Sequence, residues 1–280
     1  MHAAASQNTS RLTAERHLLR AVEDNDGARV TELLQRYSDL DAEDVYHHTA
    51  LMLAVQEGFT GIVSTLLRHN GEERVEAVDE DGLTPLMFAC VPDRVRLIPK
   101  LLRHGSDPVA RDSDGLTALM RAAYAGHVTV ISALLKDASA QQQVMAMSDD
   151  ESFVTPLLIA ESEGHTEAVR ELLTCSPQVQ LTYRSPSGAT PLMVAVDGRH
   201  SNNHEILMVL ILAGLPLQQL VDFESPAVSA TMSAGSYNYG LHVITETLQR
   251  LQSYNSYAEY ASGARRGGGF RGRRSRSLGR

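Results

Sequence analysis

Apolar residues recur along this chain at helical spacing, in short groups separated by polar stretches rich in Asp and Gly. In the group Val130, Ile131, Leu134 and Leu135 the side chains fall on one face of a helix, because residues three and four positions apart are neighbours there. Each group follows a Thr-x-Leu tripeptide, which occurs at Thr49, Thr84, Thr117, Thr155 and Thr190 with spacings of 35, 33, 38 and 35 residues. A nearly constant period of this length indicates a stack of short repeats.

The residues around each tripeptide predict a pair of helices. A Thr at the N-cap accepts a hydrogen bond from a free helix N–H, and the Pro that often follows lacks the N–H that the first turn cannot use. In the unit that begins at Thr117, the small residues Ala122 and Ala123 let the first helix pack closely, and Gly126 ends it. The apolar group forms a second helix, so each period is one helix-turn-helix unit.

The sequence of this unit resembles the ankyrin repeat. The best-preserved frame occupies residues 114–123 and continues with Gly126-His127, and it recurs over residues 81–86, 155–157 and 188–192. The resemblance implies an all-α solenoid with short β-hairpin fingers, formed by the Asp- and Gly-containing stretches between units. With degenerate caps at both ends, we expect about seven units.

One departure from the usual repeat is consistent along the chain. Ankyrin repeats commonly place His after Thr-Pro-Leu, whereas this chain has Met at Met52, Met87, Met120 and Met193. A thioether cannot replace the hydrogen bonds of that His, so we expect flexible apolar packing there. Arrays substituted with Met in this way resemble a large ankyrin-repeat family of diplomonad protists.

Two units are irregular. The unit that begins at Thr84 has Pro92-Asp93 in place of Gly-His and carries Pro99 within its second apolar group, so a bend or irregular turn is predicted there. In the unit that begins at Thr190, residues 199–203 read as an insertion between the two helices. We expect a projecting polar loop, which is either a contact site or a tolerated surface loop.

The chain divides into three segments. Residues 1–10 are expected to form a flexible N-terminus, residues 11–253 the repeat array, and residues 254–280 a disordered tail rich in Arg, Gly and Ser. No apolar run approaches the twenty residues of a membrane span, and the first residues lack the pattern of a secretory signal. Only Cys90 and Cys175 are present. These features predict a soluble protein of the cytoplasm, with the nucleus as the alternative compartment.

Charge is distributed unevenly along the sequence. Residues 263–280 hold seven Arg and no acidic residue, which leaves 18 basic and 34 acidic residues in the remainder, a formal charge of −16. The acidic array favours a basic or peptide-like protein partner and disfavours direct binding of nucleic acid by the array.

The tail has a composition similar to that of RNA-associated proteins. Arg pairs with phosphates and an aromatic ring stacks on bases, so RNA contact is one interpretation, and a localisation signal or electrostatic anchor is the other. Phosphorylation at Ser275 and Ser277 would offset local positive charge. The residues that would make tail contacts are Arg265, Arg266, Phe270, Arg271, Arg273, Arg274 and Arg276.

Signatures of catalysis do not occur in the sequence. It lacks a phosphate-binding loop, a kinase motif, a nucleophile elbow and His-Glu-x-x-His. The close His pairs, His47-His48 and His200 with His204, have no neighbouring Cys that would favour a metal site. We therefore expect no enzyme, no cofactor, no metal and no small-molecule substrate.

Recognition of another protein is the function that this fold and charge favour, and its contacts should lie where the repeat frame varies. Phe88 and Tyr124 are either aromatic anchors for a partner or residues that pack against neighbouring fingers. The predicted protein-binding residues are Gln56, Asp79, Glu80, Phe88, Asp112, Ser113, Arg121, Tyr124, Asp150, Glu151, Ile159, Arg184, Ser185 and Val194.

Three hypotheses follow from these features. The first is a non-catalytic scaffold or adaptor that binds a partner protein on the concave face of the stack. The second is an RNA-associated adaptor whose tail contacts RNA while the repeats recruit a protein. The third is self-regulation, in which the basic tail lies on the acidic array, a contact that high salt would weaken.

Overall fold

Pairs of short antiparallel helices follow one another along the chain in the computed structural model, which describes residues 2–37, 40, 42–148, 154–186, 188–197, 200–216, 219, 223 and 237–252. The elements are α1 (His2–Glu23), α2 (Gly27–Arg36), α3 (Ala50–Gln56), α4 (Thr60–Arg74), α5 (Pro85–Phe88), a 3₁₀ helix (Pro92–Leu97), α6 (Ile98–Arg103), α7 (Ala118–Tyr124), α8 (Val128–Leu134), α9 (Ala140–Val144), α10 (Pro156–Ser162), α11 (Thr166–Leu172), α12 (Pro177–Leu181), α13 (Pro191–Ala195), α14 (Asn203–Leu212) and α15 (237–252).

The helices stack in two layers. The first helices of successive units, α3, α5, α7, α10 and α13, each pack on the next, and the second helices α8, α11 and α14 do the same. Val130, Ile131 and Leu134 are fully buried between these layers. The all-α repeat solenoid predicted from the periodicity is confirmed.

Threonine begins each of the five first helices. The Oγ1 atoms of Thr49, Thr84, Thr117, Thr155 and Thr190 accept the backbone N–H three residues later, at 3.2 to 3.4 Å. Since an N-cap bond satisfies an N–H that the helix cannot, these side chains set where each first helix starts. The N-cap prediction is confirmed at every one of these positions.

The methionines do more than fill apolar space. The sulfur atoms of Met52 and Met120 lie 3.4 and 3.5 Å from the backbone nitrogens of Thr49 and Thr117, which donate to them. Met52 and Met120 are fully buried, as expected for apolar packing, and in these two units the sulfur also takes part in a hydrogen bond. Sulfur is a weak acceptor, but it completes a reciprocal capping box at both helix starts.

The unit that begins at Thr84 is irregular, as predicted, but not because a proline kinks its second helix. The segment Pro92–Leu97 forms a 3₁₀ helix, and Pro99 lies in the first turn of α6. A proline in the first turn removes no intrahelical hydrogen bond. The chain therefore divides the second helix into a tight turn and a short helix, and the proline suits the start of the latter.

Two other expectations differ from the structure. Among the described residues the connections contain no strand and only one isolated bridge, between Glu43 and Thr49, so the fingers are tight turns rather than β-hairpins. Helix α1 begins at His2, and residues 2–10 are therefore helical where a flexible terminus was expected.

Helices α9 and α12 were not predicted. Each carries a Gln that reaches back to the preceding second helix, where Gln143 Nε2 donates to the Leu134 carbonyl at 3.2 Å and Gln180 Nε2 donates to the Leu172 carbonyl at 2.8 Å. Carbonyl groups at a helix end lack partners within the helix, so these amides satisfy them.

Candidate protein-binding surface

Buried acidic side chains organise the turns between units. Asp79 accepts hydrogen bonds from the N–H groups of Asp81 and Leu83, at 3.0 and 2.7 Å, and Asp112 makes the equivalent bonds in the next turn. Both residues are less than 10% exposed. Short polar side chains that bond their own backbone hold such turns closed.

Neighbouring turns touch at their tips. The Ser113 N–H donates to the Asp81 carbonyl at 2.9 Å, and the Glu80 N–H lies 3.4 Å from the Tyr46 carbonyl. Gly82, at a φ of +74°, lies so close to the next turn that a Cβ there would come within 2.9 Å of the Ser113 nitrogen. The turns at 44–47, 79–82 and 112–115, together with α3, α5 and α7, thus form one continuous surface, here called the turn face.

A histidine joins the first two turns of this face. His48 Nδ1 lies 3.0 Å from an Asp44 carboxylate oxygen, and Nε2 lies 3.6 Å from one of Asp79. Burial alone would raise the pKa of Asp44, but the N–H groups of His48 and Tyr46 and the His48 ring together lower it. The Phe88 ring packs edge-on against the His48 ring, with centroids 5.5 Å apart. Phe88 is therefore half-buried against a neighbouring turn.

The Tyr124 side chain, in contrast, is exposed to solvent. It is 60% exposed and borders a pocket of about 470 Å³ between α5 and α7. The pocket is lined by Met87, Cys90, Val91, Asp114, Leu116, Arg121, Tyr124, Ala125 and His127. Burial raises the pKa of the Cys90 thiol to about 12, against an opposing effect of the Arg121 charge, so this thiol is not a nucleophile at neutral pH.

Arg121 crosses the pocket wall and pairs with two carboxylates. Its Nε contacts Asp112, whose side chain is fully buried, and its Nη2 lies 3.6 Å from Asp114, whose side chain is 77% exposed. The guanidinium is thus held in place by a buried carboxylate. Asp114 remains available to solvent and to any ligand at the pocket rim.

Three histidines link successive units, and sequence reasoning found the role of none of them. Ring nitrogens of His127, His165 and His200 lie 3.3, 2.9 and 2.6 Å from the carbonyl oxygens of Cys90, Tyr124 and Ser162, respectively, each in the preceding unit. Because a carbonyl only accepts, each of these nitrogens carries the proton. His200 lies in the supposed polar insertion, so this segment bonds back to the stack.

The predicted contact residues divide by exposure. Glu80, Ser113, Tyr124 and Arg184 are exposed, and Gln56, Phe88, Arg121 and Val194 are half-buried. Asp79, Asp112, Ile159 and Ser185 are buried, and the first two hold turns together, so their side chains are not accessible to a partner. Asp150, Glu151 and the predicted tail contacts Arg265, Arg266, Phe270, Arg271, Arg273, Arg274, Arg276, Ser275 and Ser277 lie outside the described residues.

Among the described residues, no group of three or more His, Cys, Asp or Glu side chains is arranged to hold a metal ion. No described helix combines the length and apolar character needed to cross a bilayer.

Comparison with known families identifies ankyrin repeats in this chain. A family model for ankyrin repeats matches the chain in three copies, at residues 18–112, 72–145 and 94–176, which together cover more than half of it. No curated protein matches the chain.

Proposed function

This chain belongs to the ankyrin-repeat family, and we propose that it is a non-catalytic scaffold or adaptor that binds a basic segment of a partner protein on its turn face. Ankyrin repeats generally mediate interactions between proteins. Stacked units of this kind form an extended concave surface. The turn face is the part of that surface whose turns are joined to one another by hydrogen bonds in this chain.

The observation that carries the proposal is the concentration of exposed carboxylates on the turn face. Glu80 and Asp81 are exposed at one turn tip and Asp114 at the next, and the hydrogen bond between these tips brings the three together. The Arg121 cation is held mainly by the buried Asp112 and lies 3.6 Å from Asp114, so it offsets only part of the negative charge of this rim. The rim therefore attracts a cationic segment, and electrostatic attraction mainly speeds and orients such an encounter.

The Met positions support a finer assignment. Met52, Met87 and Met120 are buried behind the turn face, and Met193 is half-buried. We infer that the chain is related to the Met-substituted ankyrin-repeat proteins of diplomonad protists, which it resembles in these positions. The cytoplasm is the compartment that we propose, and the nucleus is the alternative that the basic tail favours.

Neutralising the rim tests the function directly. In the full chain, Glu80→Gln, Asp81→Asn and Asp114→Asn together should weaken capture of partner proteins about tenfold at low salt, because three attractive charges are lost. A matched triple variant at exposed acids of second helices, Glu32→Gln, Glu167→Gln and Glu205→Gln, should retain capture. Quantitative mass spectrometry of co-purifying proteins measures both. Equal loss in the two variants would contradict a specific role for the turn face.

The RNA-associated adaptor is the second candidate, and the Arg-rich composition of residues 263–280 favours it. The same capture experiment separates the two functions when it is repeated with ribonuclease and with a chain that ends at Ser262. Partners held by the turn face should survive both treatments. Partners held through RNA on the tail should be lost in both.

A further inference from the structure

We propose that the pocket between α5 and α7 binds the chain's own C-terminal segment, residues 263–276, with the Phe270 ring in the pocket and Arg271 at the Asp114 carboxylate. The inference rests on the proposed function, because the surface occupied is the one that would otherwise receive a partner. The C-terminal segment would then be an internal competitor for the turn face.

The pocket has the size and walls of a site for an aromatic side chain. Its volume of about 470 Å³ lies within the range of small-ligand pockets, roughly 300 to 1,000 Å³. Met87, Val91 and Leu116 supply apolar surface, and the exposed Tyr124 ring forms one wall. Large exposed apolar surface beside a concavity is typical of a recognition site.

Charges at the pocket suit an aromatic residue followed by a cation. The Arg121 guanidinium is held by the buried Asp112, so it presents a fixed cation to a ring that enters the pocket. Outside it, the Asp114 carboxylate is 77% exposed, and Glu80 and Asp81 at the adjoining turn tip are exposed as well. A second Arg can pair with this rim without displacing Arg121 from its buried partner.

The C-terminal segment carries the complementary pattern. Phe270 is the one large apolar residue between positions 263 and 277, and it is followed directly by Arg271. Residues 267–269 are all Gly, which allows the backbone to approach a surface closely. A tail that carried only Arg could bind to any acidic surface. A tail that also carries Phe270 can place the aromatic ring in an apolar pocket beside that surface.

The connecting chain is long enough for the contact to form within one molecule. The described part of helix α15 extends to residue 252, and Phe270 follows 18 residues later in the sequence, a number of residues that spans up to about 60 Å when fully extended. Gly240 of α15 lies against Val196 at the end of α13, and α13, α10 and α7 pack in succession. Three such steps at about 8 to 10 Å each amount to roughly 25 to 30 Å. Residue 252 lies 12 residues beyond Gly240 along α15, about 18 Å at 1.5 Å per residue. Added in full to the path between the helices, this gives roughly 50 Å at most, which 18 extended residues can span, so the pocket is within reach.

Tryptophan fluorescence tests the contact in the full chain, because the protein contains no Trp. Phe270→Trp should give a blue-shifted emission and a quenching constant for acrylamide about threefold lower than that of Leu278→Trp, since a pocket removes most of a ligand's surface from solvent. Adding Tyr124→Ala or Asp114→Asn to Phe270→Trp should restore full quenching. Tyr46→Ala, which removes an aromatic residue of similar exposure outside the pocket, should not.

The outcomes separate this inference from the proposed function. Equal quenching of the Phe270→Trp and Leu278→Trp variants, or protection that Tyr124→Ala leaves unchanged, would overturn it. Protection that rises with protein concentration would also overturn it, because the occupant would then belong to a second copy. Partner capture by the rim variants is measured independently and can succeed when the tail contact fails. Circular dichroism of each variant confirms that the helices persist.

Discussion

Glu161 is an acidic residue whose side chain is buried inside the stack. It is 2% exposed, and among the described residues neither carboxyl oxygen has a hydrogen-bond partner. It occupies the place of Ala123 in the preceding unit, where a small apolar residue suits the close approach of first helices. Desolvation by burial raises the pKa of Glu161 well above its ordinary value of 4.5, because burial disfavours the charged carboxylate.

This burial makes stability depend on pH in a defined direction. The folded state binds the Glu161 proton more tightly than the unfolded chain does. The stability that this proton contributes is therefore fully present below the pKa of the unfolded chain, and it is lost as the pH rises through the pKa of the folded state. We therefore expect Glu161→Gln to stabilise the protein relative to wild type at pH 7 and to give little difference near pH 4. Between pH 4 and pH 7, the free energy of unfolding of the variant relative to wild type should rise by about 1.4 kcal/mol for each unit by which the folded pKa of Glu161 exceeds its ordinary value, counted only up to pH 7.

Urea denaturation of both proteins at the two pH values measures this difference. Glu163→Gln, at an exposed acid two residues away, is the matched control and should show no such pH dependence. A constant difference between Glu161→Gln and wild type across this range would contradict a buried, protonated Glu161.

At the scale of single elements, α3 and α7 begin with reciprocal caps, on which such short helices depend more than on their length. Helix α7 has only seven residues, and a helix so short has little stability of its own. Thr117 Oγ1 accepts the Met120 N–H at 3.3 Å, and the Met120 sulfur accepts the Thr117 N–H at 3.5 Å. Since Thr117 is fully buried, water cannot replace these bonds.

Removing the cap should therefore be costly. Thr117→Val keeps the shape of the side chain but removes the acceptor, and we expect a loss of about 1 to 2 kcal/mol in the free energy of unfolding. Thr129→Val, on the exposed side of α8, provides the same chemical change without a cap and should be nearly neutral. Chemical denaturation followed by circular dichroism gives both values, and equal effects would show that the cap contributes nothing specific.

Across the whole molecule, the units are coupled by contacts between each turn and the next unit. The His165 ring lies on Gly126 while its Nε2 bonds the Tyr124 carbonyl, and His200 repeats this arrangement on Gly164. In a one-dimensional stack, stability is the sum of unit stabilities and of such interfaces. Cooperative unfolding therefore depends on these histidine contacts.

A pair of glycine variants separates coupling from backbone strain. Gly58 and Gly126 both have positive φ, +72° and +65°, but a Cβ on Gly58 meets no atom within 4 Å, whereas one on Gly126 would come within 2.8 Å of the His165 ring. Gly58→Ala should cost about 1 kcal/mol from strain alone. Gly126→Ala should cost more and should broaden the thermal transition, because the units on its two sides unfold less cooperatively. Calorimetry measures both effects, and similar transitions for the two variants would argue against the interface role.

The candidate surface was predictable only in part. The variable positions include residues of the turns at 79–82 and 112–115, and the exposed Glu80 and Tyr124 both lie on the turn face. Sequence could not show that Asp79 and Asp112 are buried, because this depends on how each turn folds back on its own backbone. Nor could it separate Phe88, which packs on the ring of His48 in the preceding unit, from Tyr124, which remains open.

What the sequence by itself determined was the repeating pair of helices. Apolar spacing, Thr caps and helix-ending glycines act over a few residues, so they can be recognised without knowledge of distant contacts. The tertiary structure alone decided the pocket beside Tyr124, the sulfur caps of Met52 and Met120, the bonding of His200 to the preceding unit and the isolation of the Glu161 carboxyl. Most of these features depend on contacts between residues of two different units, which lie roughly one period apart in the sequence. A local sequence pattern does not show which residue of the other unit will be in contact.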